Sequence, residues 1–226
     1  VNIYDIVMKF WYFDYVGIVI GENLHVDKLS KLKIKYTIFI SIFFVILYKG
    51  AEFYTYTVDN VPSYFMDWER NIPFLPIFML PYMTSQVFFL ATIFLEKNES
   101  NLKLLIKRAA FLIAVSTALF VIFPMKFYFP KPEVDNQILK SFFYILGKID
   151  SSFNQCPSLH VSFAFLSAEV YCREVKSKFL KSLFGIWGLL LAISVLFVYQ
   201  HHFIDFVGGT LIFLITCIIF PRKKAV

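Results

Sequence analysis

SLFGIWGLLLAISVLFVYQHHFI, residues 182–204, runs 23 positions without a formal charge and closes on two adjacent histidines. About 20 apolar residues carry a helix across ~30 Å of hydrocarbon. The stretch therefore reads as a membrane-crossing helix that delivers imidazoles to one surface. Working outward, charge-free runs recur at 71–95, 109–125, 151–168 and 206–220. Strands of a membrane barrel would alternate polar and apolar residues, and these runs do not. A sixth, shorter apolar run at 36–48 needs 51–58 to complete a crossing. The whole chain is 58% hydrophobic and 17% charged, more apolar than one water-soluble core of this size requires. The expected fold is an all-α, polytopic membrane helix bundle of about six transmembrane helices forming one domain over residues 1–226. Residues 1–34, with the aromatic run Phe10-Trp11-Tyr12-Phe13, are expected to form an interfacial arm.

The net charge of +6 does not indicate nucleic acid, because the basic residues fall in alternate loops. With six spans in order, sixteen Lys and Arg lie on the side of both termini. Only Lys49, Arg70, Lys126, Lys131, Lys140 and Lys148 lie on the other. The excess marks the cytoplasmic side. It predicts cytoplasmic termini and histidine segments facing periplasm, cell exterior or lumen, with a bacterial inner membrane as the expected location. Cys156 is predicted at the outer end of one span, and Cys172 and Cys217 toward inner ends, so the three are expected as free thiols.

Two segments carry the chemistry: Cys156-Pro157-Ser158-Leu159-His160 and Gln200-His201-His202-Phe203-Ile204-Asp205. Four residues separate His201 from Asp205, so on one helical turn the carboxylate can orient the imidazole. Pro157 is expected as the first residue of a helix. The free N–H groups of Ser158, Leu159 and His160 would then attract a phosphate. Ionisable groups inside a membrane are costly and usually functional, and two His segments are predicted at one depth. A zinc site from Cys156, His160, His201 and Asp205 is the competing chemistry, but no third and fourth ligand repeat the close spacing of Cys156 and His160. No metal and no cofactor are implied.

In these motifs the chain resembles the type 2 phosphatidic acid phosphatase superfamily of membrane lipid phosphatases and phosphotransferases. Pro157-Ser158-Leu159-His160 is similar to its second motif, and Ser194 through His201 to Asp205 to its third. Pro-rich 72–82 and the Pro-Ser-Leu-His wording resemble the branch related to inositol phosphorylceramide synthases, and the likeness spans roughly residues 70–215. It implies His201 as nucleophile, Asp205 as its orienting acid and His160 as proton donor. It also implies Lys126, Lys131, Ser158 and Ser194 as phosphate-binding residues. The first motif is altered, with Lys131-Pro132 where the family has Arg-Pro, and Val195 stands where an Arg normally follows the motif serine. Lys148, Gln200 and His202 are the candidates to compensate, and loop 127–155 is expected to form a lid over the head group. The bilayer and a lipid phosphate are the implied partners. The implied reaction removes phosphate from a lipid phosphate or diphosphate, with phosphatidic acid, phosphatidylglycerophosphate, polyprenyl diphosphate and lipid A phosphate as candidates. Head-group transfer in the manner of inositol phosphorylceramide or sphingomyelin synthases is the alternative. A non-catalytic lipid-binding protein is the alternative of another class.

Overall fold

The computed structural model describes residues 27–222, and among them there are helices and connecting segments but no strand. The aromatic run at residues 10–13 lies outside the described residues, as do Lys223 and Lys224. The helices are α1 (Lys28–Tyr56), α2 (Met79–Met83), α3 (Ser85–Leu95), α4 (Glu99–Ile122), α5 (Gln137–Ile149), α6 (Leu159–Glu174), α7 (Lys178–Phe197) and α8 (Phe203–Ile219). Residues 28–34, expected in the N-terminal arm, instead form the first two turns of α1. Asp27 explains this boundary, because its side chain accepts from the Ser30 N–H at 2.7 Å and caps the helix there. Asn98, Asn136, Ser158 and Ser177 cap α4, α5, α6 and α7 in the same way.

Four segments are long and apolar enough to cross a membrane: Lys28–Tyr56, Pro76–Leu95, Glu99–Ile122 and Lys178–Phe197. The shorter apolar α8 accompanies them. α6 has 16 residues and spans only about 24 Å at 1.5 Å per residue. It carries Ser162, Ser167 and Glu169 because it is the central helix, enclosed by α3, α4, α7 and α8. The Pro-rich stretch 71–78 begins as short 3-10 turns rather than as α-helix, since Pro73 and Pro76 cannot donate to a helical ladder. α1 leans on α4 and α3, leaving Ile38, Phe39, Ile42, Ile46 and Phe53 exposed on its outer face, as suits a lipid-facing helix.

Lipid is as apolar as leucine, so association of these helices rests on close packing and polar contacts. Gly188 of α7 meets α6 so closely that a Cβ there would lie 2.6 Å from that of Ala168. At the opposite end of α6, Gly209 of α8 passes over the Ser158 carbonyl. The Ser162 hydroxyl lies 2.8 Å from the Gly209 carbonyl and 3.0 Å from that of Ser158. The ends remote from the histidines are tied by charge. Arg108 bonds Glu169 at 2.6 Å and the Phe220 carbonyl at 2.9 Å, Arg173 bonds Glu96 and Glu174, and Lys97 bonds Glu174 at 3.2 Å.

A methyl at Gly209 would collide with the Ser158 carbonyl and crowd Val161. Gly209→Ala is therefore expected to cost about 1–3 kcal/mol, read as a lower melting temperature of the protein in detergent. Gly147→Ala, with nothing within 4 Å of the new methyl, is expected to be neutral or slightly stabilising.

Candidate active site

α7 ends at Phe197, and the chain reverses over the next five residues. Tyr199 takes the left-handed conformation (φ 52°) that non-glycine residues rarely adopt. Its hydroxyl donates to the Ile72 carbonyl at 2.7 Å, and its ring packs on Phe74 and Phe127. The reversal folds Gln200 and His201 back so that both N–H groups donate to the Val195 carbonyl, at 3.0 and 3.2 Å. Val195, which stands where the resemblance expects arginine, is fully buried and contributes its backbone to seating His201.

His201 precedes α8 rather than lying on it, so the expected shared helical turn is corrected. His202 is the N-cap residue and Asp205 the third residue of the helix. Asp205 Oδ2 accepts from the His202 N–H at 2.8 Å and lies 3.5 Å from His201 Nδ1. One carboxylate thus caps the helix and faces the imidazole.

The start of α6 is also corrected. Ser158, not Pro157, adjoins the helix as its N-cap, and its hydroxyl accepts from the Val161 N–H. The Ser158 N–H is not free, since it donates to the Asp205 carbonyl at 3.0 Å. Only the Leu159 and His160 N–H groups of the expected trio remain without a partner among the described residues. The Ser158 bond sets the start of α6 against the first turn of α8. It brings His160 beside His201.

Both imidazoles line one cavity of about 490 Å³, and the buried atoms His160 Nε2 and His201 Nδ1 make no hydrogen bond. The His160 ring is stacked on Tyr82 of α2 at 4.2 Å between centroids. Phe44 and Val45 of α1, Phe89 and Leu90 of α3, Ile113 of α4 and Phe163 of α6 make the remainder largely apolar. Lys49, Tyr48 and Asp150 add polar groups to the wall.

None of Lys126, Lys131, Ser158 and Ser194 lines this cavity. Lys126 is exposed in the loop after α4, where its backbone bonds Pro62 and Ser63. Lys131 is exposed within electrostatic reach of Asp150. The Ser194 hydroxyl is buried and donates to the Leu191 carbonyl of its own helix at 2.6 Å. Of the expected compensating residues, Lys148 lies over the Tyr144 ring, and Gln200 is buried with Nε2 unpartnered. Loop 127–155 does cover this end of the bundle, through α5, whose Leu146 and Ile149 line the cavity. Cys156, Cys172 and Cys217 are free thiols. Burial pushes the Cys156 thiol up to about 12, so it stays protonated at neutral pH, and among the described residues no three His, Cys, Asp or Glu converge as a metal site.

His202 is a structural centre that local sequence signals miss. Its Nε2 accepts from the Tyr128 N–H at 3.1 Å, which leaves the proton on Nδ1 to donate to Glu69 Oε2 at 3.1 Å. Phe127 stacks on the ring at 4.3 Å and Phe65 at 5.4 Å. Glu69, itself buried, also accepts the N–H groups of Met66 and Phe203. The pair ties two loops to the turn that carries His201. Lys49 carries a readable signal, as the one cation between Tyr36 and Val58, where Glu52 is its only charged companion.

Glu69→Ala strands three donors in a buried place and is expected to cost about 3 kcal/mol, seen as a lower melting temperature. Burial holds the His202 pKa below its ordinary 6.5, against the opposing pull of Glu69. The unfolded chain therefore takes up a proton that the folded one resists. His202 leaves stability intact above about pH 6.5 and lowers it as pH falls toward the folded value. Melting temperatures measured from pH 7.5 down to 5.5 are expected to fall, and less steeply in His202→Gln.

The PAP2 superfamily model matches residues 104–224, which hold His160, His201 and Asp205. No curated protein and no solved structure matches the chain. The match covers more than half the sequence and the geometry unites its paired histidines, so the chain belongs to the PAP2 superfamily, a group of phosphatase- and phosphotransferase-type proteins.

Proposed function

We propose that the protein is an integral-membrane lipid phosphate phosphatase working through a phosphohistidine on His201. The observation that carries this reading is the shared cavity, where the unpartnered Nε2 of His160 and the His201 ring, whose Nδ1 lies 3.5 Å from Asp205 Oδ2, stand beside apolar walls suited to a lipid chain. Nε2 of His201 attacks phosphorus while Nδ1–H donates to Asp205, and the bond from phosphorus to the lipid oxygen breaks. Protonated His160 gives its proton to that departing oxygen. A water then attacks the phosphohistidine, His160 takes the proton of the water, and the N–P bond breaks to release phosphate. The first-turn amides of α6 and Lys49 on the cavity wall, whose charge is shared with Glu52, are the groups that would offset charge on the phosphate oxygens, with Lys131, outside the lining, as a more distant cation. The sixteen-to-six division of basic residues supports cytoplasmic termini and a site on the opposite face.

Transfer of phosphate to an alcohol is the second reading. Asp150 favours it, because this carboxylate stands on the wall of the same cavity.

The test is turnover of ³²P-labelled phosphatidic acid, phosphatidylglycerophosphate, polyprenyl diphosphate and lipid A phosphate by the purified chain in detergent. Wild type is expected to release label as free phosphate and to yield a trappable phosphoenzyme. His201→Ala is expected to lose about a thousandfold in rate and the covalent species. Asp205→Asn is expected to lose at least about a hundredfold. Full activity in His201→Ala, with no phosphoenzyme from wild type, would sink the scheme. Label recovered in a second lipid would establish transfer instead.

A further inference from the structure

Asp150 ends α5, where its N–H donates to the Leu146 carbonyl at 2.8 Å. One carboxylate oxygen, Oδ1, accepts from the Tyr48 hydroxyl at 2.9 Å and from the Ser151 N–H at 2.9 Å. The neighbouring segment is secured to α1 by Asn154 Nδ2, which donates to the Tyr48 carbonyl at 2.9 Å. The second oxygen, Oδ2, accepts no bond among the described residues, and Asp150 lines the cavity of His160 and His201. This carboxylate is fixed in place by half of itself. The other half is left for a ligand.

A bare carboxylate beside a phosphate site repels the phosphate unless a hydrogen-bond donor stands between them. The cation on the wall does not fill that role, because Lys49 is bound to Glu52 at 2.6 Å and to the Ile149 carbonyl at 2.7 Å. Lys131 reaches Asp150 electrostatically without lining the cavity. Lys49 and Asp150 are the cation and the carboxylate of the wall and balance each other, so it offers a cationic head group no net attraction. A neutral donor fits it.

We propose that Asp150 is a specificity-determining residue that accepts a hydrogen bond from a hydroxyl held next to the phosphate. The inference rests on the phosphoryl chemistry assigned to His201. Two sources present such a hydroxyl: the phosphorylated lipid itself, and a separate alcohol that receives the phosphate. Tyr48 serves as the positioning residue for the carboxylate.

The experiment uses the full chain in detergent with lysophosphatidic acid, which has a free hydroxyl beside its phosphoester, and with its 2-deoxy analogue. Each lipid is assayed with and without glycerol or inositol. Where the lipid is the source, wild type is expected to prefer the hydroxyl-bearing lipid about tenfold in kcat/KM. Where the alcohol is the source, label is expected to pass to glycerol or inositol. Asp150→Asn preserves an acceptor for Tyr48 but replaces the free oxygen with a donor. It is expected to bring the preference, or the transferred fraction, down about tenfold, with a melting temperature close to wild type. Equal rate loss on both lipids, or a preference and transfer unchanged by the substitution, overturns the proposal. Activity without hydroxyl preference or transfer overturns it as well and leaves the assignment of His201 standing. Failure of wild type to turn over any lipid phosphate removes that assignment instead. In that case the thermal shifts produced by the same two lipids decide: a hydroxyl-dependent shift abolished by Asp150→Asn supports the site, and equal shifts overturn it.

Discussion

Ser158 is gripped from two helices at once: its N–H by the Asp205 carbonyl of α8, its side chain by the Val161 N–H of its own helix. Ser162 reaches across to the Gly209 carbonyl one turn further on. In lipid such polar contacts contribute on the order of 1 kcal/mol each, and they operate here because Gly209 admits the Ser158 carbonyl and Gly208 the Cys156-Pro157 segment before it. Every relation at the histidine end follows from this seam. It sets the depth of His160 relative to His201, and it fixes the peptide group of the residue whose carboxylate faces His201. The cavity exists because α1 and α3 stand off from the paired imidazoles that the seam brings together.

The two ends of the bundle are stabilised by different physics. Away from the histidines, Arg108, Arg173 and Lys97 are matched to Glu169, Glu96 and Glu174 from neighbouring helices, and the helix ends are locked as a charged girdle. At the histidine end the corresponding junction is one buried imidazole between aromatic rings, with a single carboxylate accepting three N–H groups. A girdle of long ion-paired side chains tolerates small shifts. A stacked ring with both nitrogens bonded does not, which suits a turn that must hold His201 in one place.

Much of this was legible in the order of residues. Charge-free runs mark helices because lipid cannot solvate a bare charge, whereas the caps at Asn98, Asn136 and Ser177 emerge only in the structure. The pairing of His160 with His201 and Asp205 was readable because each sits at the edge of an apolar run. At Pro157-Ser158 the helix starts two residues later than expected, since proline favours the first helical position while serine favours the cap before it, and the cap prevailed. The phosphate-binding set was read from motif likeness, and Ser194 shows the limit of that reading: a helical serine satisfies its hydroxyl on its own backbone. Glu69 finds His202 across 133 positions and Tyr48 finds Asp150 across 102, separations at which no local pattern reports a partner.

On the chemistry proposed for His201, selection acts twice on Asp205, whose side chain caps α8 while facing the imidazole. A descendant that stopped catalysing would still need the carboxylate to begin the helix, and would still need the main chain of that residue to anchor Ser158. His201, by contrast, makes no side-chain hydrogen bond that the fold depends on. Under relaxed selection the imidazole would drift first and the aspartate persist. Among diverged copies of such a chain, a retained Asp205 therefore records ancestry, whereas a retained His201 records use.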